Sequence, residues 1–296
     1  MDLVLPVFEI CAPVILLTLL GLFWAKTGNS YDIDLVTKLV MNMAIPCLIF
    51  IALMQTKINS ETLTNIFFAT AFALILINVT MFCAVKVLRL NLRTFFAPLI
   101  FANSANLGIP ICLFAFGIPG FEYAIFIFSI MAVYSLTFGV WVMSGGGSPI
   151  KLFKEPLVIS VFLGMLFLFK GWETPDFLTS TINLVGQMAI PLMLLTLGVT
   201  VANLRSSGLL NLIFPSILKF VLCLICALIT VRVFDLESIP AAALIIQITM
   251  PVAVSSYMLT EKYGNDPKTV AALVIVSTMM GVVYIPVTLA FLLSFS

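Results

Sequence analysis

The sequence predicts an all-α polytopic membrane protein, with ten transmembrane helices built as two inverted five-helix repeats. Three observations lead there. Residues of the AVILMFWYC set fill 62% of the 296 positions and Asp, Glu, Lys and Arg only 9%, with a mean hydropathy of +1.23. Soluble domains carry roughly 25% charged residues, so most of this surface must face lipid. Ten apolar stretches come near the ~20 residues that a spanning helix requires. A motif in the first half of the chain recurs in the second at a constant offset.

The stretches are 4–24, 35–54, 63–85, 95–116, 122–143, 156–169, 177–202, 212–231, 239–259 and 269–293. The first opens Met1-Asp2-Leu3 with no basic segment before an apolar run to Trp24, and so reads as a span, not a cleaved signal. The second and seventh carry the shared motif. The third holds Asn78 at its middle, and the fourth and ninth are the most polar at mid-depth. The sixth is short and borrows residues from its flanks. The gaps hold the turn formers and charges, as in Lys26 to Asp34, Lys86 to Arg93, Ser144 to Glu155 and Glu261 to Lys268. Trp24, Trp141 and Trp172, near span ends, read as interfacial anchors.

Lys and Arg in short loops set orientation. With the N-terminus outside, the cytoplasmic set is Lys26, Lys38, Lys86, Arg89, Arg93, Lys151, Lys154, Arg205, Lys262 and Lys268. Lys219 joins it by snorkelling from the start of the eighth span. The outer set is Lys57, Lys170 and Arg232. Eleven against three puts both termini outside, in the cytoplasmic membrane. Ser144-Gly-Gly-Gly-Ser-Pro149 is the most linker-like segment. The chain then divides into a first repeat, 1–143, a short cytoplasmic linker, 144–155, and a second repeat, 156–296. With an odd number of spans in each, homologous halves must lie inverted.

The repeat is visible in residues. Leu39-Val-Met-Asn-Met-Ala-Ile-Pro46 and Leu184-Val-Gly-Gln-Met-Ala-Ile-Pro191 agree at six of eight positions, at an offset of 145. Asn106-Leu-Gly-Ile-Pro110 and Gln247-Ile-Thr-Met-Pro251 give a weaker match at an offset of 141. Each mid-span proline has an amide four residues before it: Asn42, Asn106, Gln187 and Gln247. A helical proline leaves that carbonyl unpaired, in a medium without water. The amide can bond the freed backbone or a bound solute. Both uses are open, the first more for Asn42 and Gln187, the second more for Asn106 and Gln247.

Asn103-Ser104-Ala-Asn106-Leu-Gly108-Ile-Pro110 has poor helix propensity and places polar groups where they must pair or face a cavity. The ninth span supplies Gln247, Thr249, Ser255 and Ser256 around Pro251. Broken helices in corresponding places of two inverted halves point to a transporter site. Their free N–H ends suit an anion and their carbonyl ends a cation.

Other chemistry is excluded or weak. The chain has no His, which removes Ser-His hydrolysis, His-ligated metals and His proton relays. Of 13 acidic residues only Glu9 lies clearly within a span, near its end, so no central carboxylate carries a proton. The six Cys lie in apolar runs and read as buried thiols, Cys223-Leu-Ile-Cys226 included. A net charge of +1 gives no footprint for nucleic acid.

Asn42-Met-Ala-Ile-Pro46 with Cys47-Leu-Ile-Phe50, Asn103 to Pro110, and Met250-Pro251 followed by Tyr263-Gly-Asn-Asp266 resemble the auxin efflux carrier family, whose bacterial branch includes malonate or malate permeases. Ala189-Ile-Pro191 running to Leu197-Gly198 fits it as well, and the likeness spans the chain. The resemblance implies a scaffold of spans one, two, six and seven that dimerises, and a mobile domain of spans three to five and eight to ten. It implies that spans four and nine cross at their broken centres and bind substrate there, with elevator-like alternating access. The implied substrate-binding set is Asn103, Ser104, Asn106, Gly108, Pro110, Gln247, Thr249, Pro251 and Ser255. The supporting set is Asn42, Pro46, Asn78, Gln187 and Pro191. The fold is also similar to that of the bile-acid sodium symporters, so a sodium site near Asn106 and Gln247 stays open beside plain uniport. No other cofactor is expected. The expected partners are a small organic anion, the lipid bilayer and a second copy of the chain.

Overall fold

The computed structural model describes residues 4–139, 155–203, 209–262 and 266–294. The linker at 144–154, Trp141, Lys151, Lys154, Arg205 and the Tyr263-Gly-Asn segment lie outside them. The described residues are helical throughout, apart from loops and one isolated β-bridge. The helices are α1 (Val4–Lys26), α2 (Ile33–Gln55), α3 (Ser60–Val87), α4 (Leu92–Ile100), α5 (Ser104–Tyr134), α6 (Pro156–Lys170), α7 (Asp176–Gln187), α8 (Ala189–Asn203), α9 (Ile213–Val233), α10 (Ser238–Thr249), α11 (Val254–Lys262) and α12 (Pro267–Leu293).

Seven helical stretches among the described residues are long and apolar enough to cross a membrane. They are α1, α2, α3, α5, α7 running on into α8, α9 with the short turn before it, and α12. Helices α6 and α10 are apolar but shorter. This count falls below the hydropathy count for a physical reason. The fourth and ninth apolar stretches are each interrupted, so neither forms one continuous helix. Large apolar side chains such as Phe8, Leu16, Phe23, Ile75, Phe162 and Val283 stand exposed on the outer faces, as a lipid-facing surface requires.

Local chemistry sets the helix ends. Asp32, Asn59 and Asn91 cap α2, α3 and α4, each accepting from a backbone N–H two or three residues on, at 2.7–3.3 Å. Gly171, at φ +61°, ends α6 in the left-handed conformation. Helix α5 bends sharply at Gly117, φ +64°, just before Pro119. Several Ser and Thr within the spans spend their hydroxyls on their own helices. Ser129, Thr230 and Thr249 donate to carbonyls four residues back at 2.7–2.8 Å.

Packing divides the helices into two bodies. Helix α1 packs most extensively on α8, and α2 on α6 and α7. On the other side α5 packs on α10, α9 on α3 and α10, and α11 on α12. Fewer contacts join the bodies, chiefly those of α5 with α1 and α2. The α1–α8 contact is backbone-close. A Cβ on Gly198 would run into the carbonyl of Thr18, and one on Gly21 into that of Leu195.

Gly198→Leu is expected to force α1 and α8 apart at a cost of about 1–3 kcal/mol. The check is a lowered melting temperature in detergent; an unchanged one would contradict the close contact. Asp266 caps α12, its Oδ1 accepting from Thr269 N–H at 3.2 Å and its Oδ2 from the Thr269 hydroxyl at 2.6 Å. These bonds hold its carboxyl below the usual carboxylate range. The cap therefore stabilises above the ordinary carboxyl pKa and is lost as pH falls through the lowered one. Asp266→Ala should cost about 1 kcal/mol near neutral pH, with the gap to the parent narrowing in acid.

Candidate functional site

Two helices are interrupted face to face. Between α4 and α5 the chain is extended at Phe101 and Ala102, and between α10 and α11 at Met250 to Ala253. The extended segments pair antiparallel through Ala102 and Val252. Asn103 N–H donates to the Pro251 carbonyl at 2.7 Å, and Ala253 N–H to the Phe101 carbonyl at 3.1 Å. This exchange is two-fold: Phe101 corresponds to Pro251 and Asn103 to Ala253. The offset of 141 is therefore not the structural one. Pro110 lies inside α5, beyond the break, whereas Pro251 lies within one.

Side chains complete the crossing. The Ser104 hydroxyl reaches the Gln247 carbonyl at 3.0 Å and the Ala102 carbonyl at 3.3 Å. Val252 N–H donates to Ser277 Oγ at 3.1 Å. Lys219 of α9, only 2% exposed, donates from Nζ to the Met250 carbonyl at 2.7 Å. This corrects the snorkelling reading. Its Nζ is buried against the carbonyl end of α10, so ten positive residues, not eleven, are left to the charge bias from which orientation was read. Its signal in the sequence was a lone Lys inside an apolar run.

The prolines meet their missing N–H in different ways. Before Pro46 and Pro110 the helix widens into π turns, at Val40–Ala44 and Ser104–Gly108, where Ile45 N–H reaches back to Val40 and Ile109 N–H to Ser104. Before Pro191 the helical bonding is interrupted for one residue at Met188, between α7 and α8, with the backbone still right-handed. Among the described residues none of the four amides bonds the freed backbone. Asn42 and Asn106 face a cavity, Gln187 is exposed beside the interruption, and Gln247 is wholly buried.

That cavity, of about 330 Å³, lies where the two bodies meet. One wall is α2 and α8, with Asn42, Thr196 and Thr200; the other is α5 and the crossing, with Asn103, Ser104, Asn106, Tyr134 and Ser255. The N-terminal turns of α5 and α11 both open on it. The N–H groups of a first helical turn have no partner within the helix, and the dipole there is positive. Asn103 Nδ2 and Thr200 Oγ1 are buried without a partner among the described residues. No Lys or Arg is among the described lining residues; exposed Glu155 is their one charged side chain.

The structure thus brings Asn103, Ser104, Asn106, Ser255 and Asn42 to one cavity. Gly108, Pro110, Gln247, Thr249, Pro251, Pro46, Asn78, Gln187 and Pro191 do not line it. Thr249 spends its hydroxyl on the Ile245 carbonyl. Gln247 packs on Gly108, where a Cβ would stand 2.8 Å from its Oε1. Asn78 donates to the Leu74 carbonyl at 2.6 Å and accepts the Tyr134 hydroxyl at 2.7 Å, so it fixes a ring that lines the cavity. Tyr134, Thr196 and Thr200 carried no sequence signal, being ordinary residues of apolar helices.

Residues 6–149 and, separately, 140–289 match the membrane transport protein family. An uncharacterized transporter of Methanocaldococcus jannaschii is 23% identical over 290 residues, 92% of this chain and 94% of that protein.

The Gln247 amide has neither its oxygen nor its nitrogen paired among the described residues. Such a group costs about 1–3 kcal/mol when buried. Gln247→Leu, of similar volume, is expected to raise the melting temperature. A lowered one would mean that the amide contributes to holding the crossing.

Proposed function

The chain belongs to the membrane transport protein family, that of the auxin efflux carriers, and on that premise we propose that it is a secondary carrier for a small organic anion. The family and the relative are those of transporters, not enzymes. The substrate class is a mono- or dicarboxylate such as malonate, malate or an auxin-like acid. One observation carries this reading: a 330 Å³ cavity into which two helix N-termini open beside Asn103 Nδ2, unpaired among the described residues, and the Asn106 side chain. Ligand pockets of small molecules begin at about 300 Å³. A carboxylate there would accept from first-turn N–H groups and amide donors, and would need no intramembrane Arg.

Transport follows from the position of the cavity between two bodies. We read α1, α2, α6, α7 and α8 as a scaffold, dimeric through its outer face, and α3 to α5 with α9 to α12 as an elevator-like carrying body. The two-fold bond exchange at the crossing supports ten spans in two inverted five-helix repeats, 1–143 and 156–296. The cavity reaches Ile33 and Glu155, near loops that the charge bias assigns to the cytoplasm, with both termini outside. On that orientation this is the inward-facing state. Glu155 at the mouth opposes anions only weakly, since exposed charges are screened within about 10 Å.

The test is proteoliposome uptake of indole-3-acetate, malonate, malate, succinate and taurocholate, with and without a sodium gradient and under either sign of potential. Sodium-independent, saturable flux of a carboxylate is expected, worth about 2.3 kcal/mol per charge per 100 mV. Asn106→Ala should reduce it by at least about tenfold, the loss of one charge-assisted bond, while the protein stays folded. Unchanged flux in that variant would refute the site. Flux that appears only with sodium would favour a symporter.

A further inference from the structure

Lys219 is the one Lys, Arg, Asp or Glu buried among the described residues. Its Nζ holds the Met250 carbonyl at 2.7 Å. Met250 follows the last residue of α10, where the last carbonyls of a helix lack N–H partners and carry about half a negative charge. The side chain lies inside the body formed by α9 with α3, α10 and α12. Ser216 and Cys223 are its buried neighbours one turn away on α9, and Tyr284 of α12 stacks on Phe220 at 4.1 Å. No acidic side chain pairs with it among the described residues. The cation thus sits at the carbonyl end of the broken helix. The anion cavity lies across the crossing, at the N–H ends.

Resting on the carrier reading above, we propose that Lys219 is a built-in counter-cation: it occupies the carbonyl end that a coupling ion would otherwise fill, and it travels with a bound monoanion. The charge balance is direct. With Lys219 Nζ protonated against the Met250 carbonyl, the empty carrying body bears +1 at the crossing; loaded with a monocarboxylate it bears zero. The membrane potential then acts on the return of the empty body and not on the loaded step. Net transport stays electrogenic, while one-for-one exchange, which uses only the loaded step, becomes indifferent to voltage. Lys219 is a positioning residue here; it touches the break, not the substrate.

The experiment compares two fluxes of indole-3-acetate in proteoliposomes clamped between about −100 and +100 mV. The wild type should show net efflux changing by an order of magnitude or more, and saturated homoexchange changing by less than about twofold. Lys219→Met should make exchange fall about threefold or more at one polarity, because its loaded step now carries −1. Lys219→Arg should restore flat exchange. A merely structural lysine would lower the amount of active protein without altering this voltage dependence. Steep exchange in the wild type, flat exchange in a folded Lys219→Met, or sodium stimulation of the wild type would each overturn the proposal. The wild-type arm decides even if Lys219→Met does not fold. Absence of exchange for indole-3-acetate while another anion of the panel exchanges would move the same test to that anion at its own charge, a dianion then giving voltage-dependent exchange. Absence for every anion would overturn the carrier reading, and this proposal with it.

Discussion

A backbone that stops being helical inside lipid must find partners for its N–H and C=O groups, because no water is there to supply them. Everything at the centre of this protein follows from that constraint. Two helices break, and the breaks are placed against each other. Asn103 and Ala253 donate to Pro251 and Phe101, a miniature of an antiparallel ladder built from two residues a side. Either break alone would strand these groups. The two are thus mutually dependent, which is why α5 and α10 pack so closely.

The exchange leaves a remainder, and the remainder is asymmetric. The carbonyl side is answered by the protein itself: Lys219 at Met250, and the Ser104 hydroxyl at Gln247 and Ala102. On the N–H side Ser277 takes one donor, from Val252, while the first turns of α5 and α11 face the cavity beside Asn103 and Asn106. On the carrier reading proposed above, a site whose carbonyl ends are already held and whose N–H ends are open prefers an anion. That preference needs no basic residue in the cavity wall.

Much of this was legible in the sequence, for identifiable reasons. The apolar stretches were readable because burial in lipid demands uninterrupted hydropathy. Asn103, Ser104 and Asn106 stood out because polar side chains at mid-depth need a reason. The location of the breaks was less legible. Proline marks a missing N–H, yet Pro46 and Pro110 are absorbed by π turns, and the fourth stretch breaks at Phe101 and Ala102, well before its proline. Which solution a helix takes depends on whether a neighbour offers bonds, and that is a tertiary fact. Lys219 failed for the same reason. A lysine near a span end snorkels by default, and only the nearby carbonyl end of α10 reverses that preference.

Gln247 brings these threads together. It is wholly buried, its amide is unpaired among the described residues, and Gly108 makes room for it. Stability alone would favour a leucine in that place, since an unpaired amide is costly and an apolar side chain is not. The amide sits on the last turns of α10, whose carbonyls Ser104 and Lys219 hold. If the carrying body shifts, the bonds around the crossing must be exchanged and not merely broken. A polar side chain held in reserve beside the break would supply a partner during that exchange. On the carrier reading proposed above, Gln247 would serve the path between states more than the state seen here, and its cost in this state would be the counterpart of that use.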